Sequence, residues 1–189
     1  MKKNFYEVFG YTNPAECLHL QEFARGRICL EIGCFLGKST VAMAEVAKKV
    51  YSIDTFKENP DHLGIQKNEF TTLESFQKNI KGYDNIKYFI GESGDILPGL
   101  DIVVDCVFID GDHSYLGNKK DILFSWPKLR AGGMFVLHDY YIEGVSPKNK
   151  SVLNASNGVL KASREIFGDD FIEGHEFLMA WFTKKEISI

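Results

Sequence analysis

Five side chains that can bind a cation or move a proton follow two separate apolar runs of the sequence. They are Asp110, Asp112, His113, His138 and Asp139. Clustered carboxylates repel one another, so a divalent cation would stabilise them, and oxygen-rich ligand sets favour magnesium, calcium or manganese. Histidine accepts protons near neutral pH. The pattern therefore predicts a site that deprotonates a substrate hydroxyl with the help of a metal ion.

A second segment, residues 31–40, has the composition of a turn that approaches a ligand closely. It ends an apolar run and opens a helical pattern, with glycines at Gly33 and Gly37. The spacing matches neither the G-x-G-x-x-G dinucleotide fingerprint nor the P-loop. Asp54 ends the next apolar run, where a carboxylate can accept hydrogen bonds from ribose hydroxyls. The alternative for the glycines alone is a tight turn that needs them for its own geometry.

The elements that position these residues follow from hydrophobic patterning. Apolar runs predict strands at 27–32, 50–53, 86–90, 105–109 and 134–137, and a terminal hairpin at 171–172 and 177–183. Helical spacing predicts helices at 38–49, 69–80, 116–129 and 159–167. Alternating apolar strands and helices predict a doubly wound, Rossmann-like α/β fold. The predicted sheet has seven strands, is mostly parallel, carries helices on both faces, and ends in an antiparallel hairpin strand.

Parallel sheets of this kind bind ligands beyond the carboxyl ends of their strands. Both groups of candidate residues follow strands, so we expect them to face one crevice. There, Glu31 to Gly37 together with Asp54 resemble motifs I and II of class I S-adenosylmethionine-dependent methyltransferases. The resemblance implies that the glycine turn contacts the methionine part of the cofactor and that Asp54 binds its ribose.

Residues 91–97 resemble the segment that contacts adenine in the catechol O-methyltransferase branch. The resemblance implies that Ser93 and Glu92 contact the adenine of the cofactor. Ser93 is also a candidate helix N-cap. The predicted cofactor-binding residues are Glu31, Gly33, Phe35, Gly37, Ser39, Asp54, Glu92, Ser93 and Asp110.

Residues 108–115 and 138–140 are similar to a group that includes macrolide-sugar O-methyltransferases and cephalosporin hydroxylase-like proteins. This likeness implies that Asp110 and Asp139 bind a metal ion, predicted to be Mg²⁺ or another divalent cation, and that His113 is the catalytic general base. His138 is predicted as the third metal ligand. In several metal-dependent members its position is acidic, so histidine lowers the negative charge of the site and is expected to weaken magnesium binding.

The composition of the chain limits its class of protein and its possible partners. The chain has 189 residues, of which 44% are hydrophobic and 25% charged, and a net charge of -4. This balance predicts one globular domain, residues 1–189, without an electrostatic basis for binding nucleic acid or an anionic membrane. The four cysteines include no CxxC pair, and no signal or membrane-spanning segment is predicted. We expect a cytoplasmic protein, and the resemblance implies that it forms homo-oligomers.

The leading hypothesis is an S-adenosylmethionine-dependent methyltransferase acting on a hydroxyl of a small molecule: a sugar, a natural product or a phenol. Two alternatives stay open, a metal-dependent hydroxylase or hydrolase on the same fold and a non-catalytic cofactor-binding protein. The polar stretch 143–158 is predicted as a loop, either a substrate lid or a surface insertion.

Overall fold

A computed structural model describes residues 2–57, 72–140 and 150–185, with residues 150–157 described through their backbone alone. Seven strands form one sheet: β1 Ile28–Ile32, β2 Lys49–Asp54, β3 Ile86–Ile90, β4 Val104–Ile109, β5 Leu129–Leu137, β6 Gly174–Glu176 and β7 Met179–Thr183. The helices are α1 Pro14–Ala24, α2 Lys38–Ala44, α3 Thr72–Asn79, α4 Ser93–Ile96, α5 Tyr115–Ser125 and α6 Lys150–Phe167.

The strands lie in the order β3-β2-β1-β4-β5-β7-β6. The first five in this order are parallel, whereas β7 pairs antiparallel with both β5 and β6. Because β1 and β4 are neighbours, the chain winds away from this pair in both directions, which opens a crevice beyond their carboxyl ends. The predicted Rossmann-like sheet with a terminal antiparallel hairpin is confirmed.

Side chains of the central strands alternate between two hydrophobic clusters, one on each face of the sheet. On β4, Cys106 and Phe108 belong to one cluster, while Val107 and Ile109 belong to the other. All four are fully buried. This double burial explains why the strand reads as a continuous apolar run instead of an alternating one, and it fixes the position of the residues that follow.

Several element boundaries differ from the predictions. Helix α6 begins at Lys150, so the predicted loop 143–158 is wrong from that residue onward, and residues 143–149 lie outside the described part. Asparagine and serine have modest helix propensity, but α6 packs against α5, and such packing outweighs propensity. Helix α2 ends at Ala44 instead of residue 49, and the short helix α4 has Glu92 as its N-cap, so Ser93 is its first residue and not the N-cap that the sequence suggested. None of the described helices is both long and apolar enough to cross a membrane.

Candidate cofactor and catalytic site

The turn after β1 lies against the turn after β4 at a distance that admits only glycine. Gly33 has a φ of 83°, in the left-handed region. A methyl group placed on Gly33 would lie 2.1 Å from the carbonyl oxygen of Asp110 and 2.6 Å from Cα of Gly111. The backbone itself thus brings the glycine turn and the candidate catalytic turn together.

Asp54, at the end of β2, holds the glycine turn in place. Its Oδ2 accepts hydrogen bonds from the backbone N–H groups of Cys34 and Phe35, each at 2.8 Å, and its Oδ1 accepts one from Phe56 at 2.7 Å. Phe35 has a φ of 45°, an uncommon conformation for a bulky residue. The predicted ribose-binding carboxylate therefore also organises the loop that would surround the cofactor.

Glu31 and Ser39 form a buried network behind this turn. The Glu31 carboxylate is fully buried and accepts hydrogen bonds from Ser39 at 2.6 Å, Thr40 at 2.5 Å and Ser52 at 2.8 Å. Burial raises the pKa of Glu31 to about 7, although the three hydroxyl bonds act in the opposite direction. This geometry ties β1, β2 and α2 together. A direct contact of Glu31 with the cofactor stays a prediction.

A cavity of about 580 Å³ opens at the carboxyl ends of β1, β2, β3 and β4. Its size falls within the range of small-molecule sites, about 300–1,000 Å³. Most of the predicted site residues contribute to its wall: Gly33, Phe35, Asp54, Glu92, Ser93, Asp110 and His113. Gly37 lies instead under the ring of Phe76, 3.0 Å from where its side chain would begin. The structure thus gathers residues from four strand ends around one cavity.

The same wall contains Asp121, a residue of α5 that sequence reasoning missed. Asp121 is buried, and its Oδ1 accepts a hydrogen bond from the Ser93 hydroxyl. Burial raises the pKa of Asp121 to about 6, opposed by the bonds from Ser93 and from the backbone of Asp112. Asp121 therefore links the turn after β3 to the turn after β4. The only sequence signal for Asp121 is the helical spacing of the residues after residue 113, which predicts that it lies on a helix following the site.

The carboxylates and histidines predicted at the ends of β4 and β5 do converge. Oδ1 of Asp110 lies 3.4 Å from Nε2 of His113 and 3.1 Å from Nδ1 of His138. Nδ1 of His113 lies 3.1 Å from Oδ2 of Asp139. Asp139 adopts a φ of 52°, a left-handed conformation that aspartate tolerates. Asp112, by contrast, is exposed and accepts a bond from the Ser114 backbone, as a turn-capping aspartate does.

Charge within this cluster is balanced between acids and imidazoles. Burial alone would raise the pKa of Asp110, but His138 and His113 hold it well below its usual range. Burial lowers the pKa of both histidines, yet Asp110 and Asp139 outweigh that effect and raise it. The arrangement can therefore hold a positive charge, whether protons or a metal ion supply it.

His138 has a further partner, Glu16 of α1, that the sequence analysis did not identify. Its Nε2 lies 3.2 Å from Oε2 of Glu16, and both side chains are almost completely buried. Among the described residues, Nδ1 of His138 makes no hydrogen bond, and the same holds for Nε2 of His113. Buried ring nitrogens without partners, next to two carboxylates, form a donor set that fits a divalent cation. Asp110, His113 and Asp139 alone offer three ligand atoms within 4.8 Å of one another.

A second cavity, of about 480 Å³, lies on the other side of the glycine turn. It shares Gly33, Phe35, Asp110, Gly111 and His113 with the first cavity. The rest of its wall includes residues 10–12, near the amino terminus, together with Lys38, Ser39, His138 and Asp139. Two cavities thus meet at the catalytic candidates.

The order of the strands in the sheet and the position of the site at the strand ends together define a Rossmann-like α/β protein of the methyltransferase type. A family model described as a methyltransferase domain matches residues 30–140, more than half of the chain. The chain therefore belongs to this methyltransferase domain family, as predicted. A comparison with curated proteins finds no significant match.

Solved structures with the same fold include three methyltransferases. The SAH-bound methyltransferase PaMTH1 of Podospora anserina has a TM-score of 0.68 at 18% identity, covering 93% of this chain and 80% of that one. A putative caffeoyl-CoA O-methyltransferase from Staphylococcus aureus has a TM-score of 0.66 at 17% identity, with coverage of 96% and 87%. CalS11, a TDP-rhamnose 3'-O-methyltransferase of calicheamicin biosynthesis, has a TM-score of 0.63 at 14% identity, with coverage of 91% and 81%. At these identities the likeness shows the fold.

Proposed function

We propose that this protein is an S-adenosylmethionine-dependent O-methyltransferase that acts on a hydroxyl of a small molecule. The observation that carries the proposal is the meeting of two cavities at Asp110, Gly111 and His113. The glycine turn borders both cavities, but Asp54, Glu92 and Ser93 line only the larger one, which leaves the smaller one for an acceptor. Two proteins of the same fold that are named as O-methyltransferases, and a third that binds SAH, support this assignment.

S-adenosylmethionine, when bound, supplies an electrophilic methyl group on a sulfonium, which becomes a neutral thioether after transfer. Gly33, Asp54 and Ser93 all line the larger cavity, and we assign Asp54 to the ribose of the cofactor and Ser93 to its adenine. His113 stands where the two cavities join and accepts the proton that the acceptor hydroxyl loses as its oxygen bonds to the methyl carbon. Asp139, 3.1 Å from Nδ1 of His113, orients the ring and stabilises the imidazolium.

Asp110, His138 and Asp139 are proposed to hold a divalent cation. Such an ion would act as a Lewis acid that lowers the pKa of the acceptor hydroxyl. The unpartnered Nδ1 of His138 and the adjacent carboxylate oxygens fit this role. A protein that lacks the ion retains the same proton acceptor, His113.

The acceptor cavity favours a small molecule with a flat or ring-shaped face. Tyr11 stacks on Phe35 with ring centroids 5.9 Å apart, and both residues line the cavity. Lys38 also lines it, and its Nζ donates a hydrogen bond to the carbonyl of Gly10 at 3.4 Å. Aromatic faces bind sugars and phenols well, because both present apolar ring surface beside hydroxyls. Hydroxylated sugars, natural products and phenols are accordingly the proposed acceptors.

A screen of hydroxylated sugars and phenols with a methyl-labelled donor tests the activity. Transfer of label to an acceptor oxygen, together with formation of S-adenosylhomocysteine, is the expected result. His113→Asn should reduce turnover by roughly 10²–10⁴-fold while leaving cofactor affinity unchanged. Metal-dependent turnover that leaves the methyl donor intact would indicate the hydroxylase or hydrolase alternative. Cofactor binding unaffected by His113→Asn, with no transfer to any acceptor, would favour a binding protein.

A further inference from the structure

His138 is the most constrained member of the acid and histidine cluster. Only 6% of its side chain is exposed, against 35% for His113. Its Nε2 faces Oε2 of Glu16 at 3.2 Å. Carboxylates lie beside both ring nitrogens, so a His138 ring that binds an ion through Nδ1 would keep its proton on Nε2, where Glu16 accepts it. The contact with Glu16 thus leaves Nδ1 as the ring nitrogen that faces the cluster.

This nitrogen faces a group of oxygen acceptors. Nδ1 of His138 lies 3.1 Å from Oδ1 of Asp110 and 3.8 Å from Oδ1 of Asp139, and it makes no hydrogen bond within the described part of the chain. A deprotonated Nδ1 that close to carboxylate oxygens would be repelled by them, and burial strengthens the repulsion. A positive charge between these atoms, supplied by a proton or by a metal ion, removes it.

The spacing of the Asp110 and His138 atoms matches that of two ligands around one ion, whereas Oδ1 of Asp139 lies farther from Nδ1 of His138, at 3.8 Å. Ligand atoms bound at about 2.1 Å, at angles between a right angle and the tetrahedral angle, are roughly 3.0–3.4 Å apart. The Asp110 to His138 distance of 3.1 Å falls in this range. A histidine that ligates through one ring nitrogen and donates its other N–H to a carboxylate is the usual arrangement of metal-bound histidine. Glu16 supplies that carboxylate.

We propose that Asp110, His138 and Asp139 form a site that selects a transition-metal ion, such as Co²⁺, Zn²⁺ or Mn²⁺, over Mg²⁺. Magnesium binds oxygen ligands almost exclusively, whereas an imidazole nitrogen suits the borderline transition metals. The selectivity comes from His138 in particular, because the other two ligands are carboxylates that both kinds of ion accept. This inference rests on the proposed function only for the site's role beside the acceptor, since ion binding needs neither methyl donor nor acceptor.

The test measures ion selectivity on chelator-treated, full-length protein without any methyl donor. Calorimetry with Co²⁺ and with Mg²⁺ should give a Co²⁺ affinity at least about a hundredfold higher. The visible spectrum of bound Co²⁺ should show a nitrogen ligand. His138→Asp should lower the ratio of the two affinities by about tenfold or more, because it replaces nitrogen with oxygen. Asp139→Asn, the matched control, should weaken both ions and leave the ratio nearly unchanged.

Three results would overturn the inference: no ion bound by the wild-type protein, equal affinity for the two ions, or an unchanged ratio in the His138→Asp variant. The first of these would leave the cluster as a set of imidazolium–carboxylate pairs. If circular dichroism shows that the variant does not fold, His138→Asn provides an oxygen ligand without added charge and permits the same comparison. Binding of S-adenosylhomocysteine to the metal-free protein is measured in parallel, so failure of the ion proposal is distinguishable from failure of the proposed function.

Discussion

Oδ1 of Asp110 and Nδ1 of His138 lie 3.1 Å apart at the carboxyl ends of the neighbouring strands β4 and β5. The pairing register of these strands, with Ile109 opposite Leu137, places the two following residues side by side. Glu16, from α1, fixes the far side of the imidazole. Three elements distant in sequence thus define one acid–histidine contact at the centre of the site.

Glu16→Gln tests the part that α1 plays in this contact. Glutamine retains one oxygen in place of Oε2, which can still accept from the backbone of Asn13 but is a weaker acceptor for the His138 N–H; the second acceptor, Oε1, which receives the Leu178 N–H, is lost. We expect the Co²⁺ affinity to fall by roughly 10–100-fold, as for other losses of a carboxylate behind a metal-bound histidine. Calorimetry measures the affinity. An unchanged affinity with an intact fold would show that Glu16 only caps α1.

Gly33→Ala tests the close approach of the two turns. An added methyl group would overlap the Asp110 carbonyl, 2.1 Å away, and would also be strained by the positive φ of 83°. Gly26→Ala is a matched control, since Gly26 has a φ of 69° and nothing within 4 Å of the added carbon. We expect the control to lose about 1–2 kcal/mol of unfolding free energy and Gly33→Ala clearly more. Urea unfolding measures both. Equal losses would mean that the turns do not need to touch.

Glu31→Gln tests the buried network by its pH dependence. The folded-state pKa of about 7 lies above the ordinary value of 4.5, so the protonated form is favoured in the fold. The stability contributed by this group is fully present below pH 4.5 and is lost as the pH rises through 7. Glutamine does not titrate, so the stability of the variant relative to wild type should rise by about 3 kcal/mol across this window.

Urea unfolding of both proteins at several pH values measures that difference, with the exposed Asp101→Asn as a control that should show almost none. A difference in unfolding free energy that stays constant with pH would contradict a buried Glu31 carboxyl with a raised pKa.

Asp121→Asn tests the link between the turns after β3 and β4. The amide is a weaker acceptor for Ser93 and for the backbone of Asp112, so the wall of the larger cavity should loosen. We expect S-adenosylhomocysteine affinity to fall by about tenfold. Asp95→Asn changes an exposed residue of α4, two positions after Ser93, and should leave this affinity unchanged. Equal affinities in the two variants would exclude Asp121 from cofactor binding.

The general position of the site could be predicted from the sequence because it follows from topology. Once the apolar runs are taken as parallel strands, Asp54, Asp110 and Asp139 must meet at one edge of the sheet, whatever the details of the loops. The same reasoning predicted the terminal hairpin. These conclusions depend only on local patterning, which the sequence contains.

Other parts of the site depend on packing between distant elements. Glu16 is 122 residues from His138, and Asp121 is 28 residues from Ser93. No local pattern marks either acid as a partner of the site, because each looks like an ordinary helix residue. The tertiary fold also gives Asp54 hydrogen-bond partners in the glycine turn and gives Glu31 partners in α2 and β2, whereas the motifs alone pointed to the cofactor as their partner.

The central claim is that the larger cavity binds S-adenosylmethionine, and calorimetry with S-adenosylhomocysteine tests it most directly. We expect binding to one site per chain in the wild-type protein. Asp54→Ala should weaken it by at least about tenfold, since the variant loses both the ribose acceptor and the bonds to Cys34 and Phe35. The absence of binding of either cofactor form at high micromolar concentration, in a folded wild-type protein, would contradict the account.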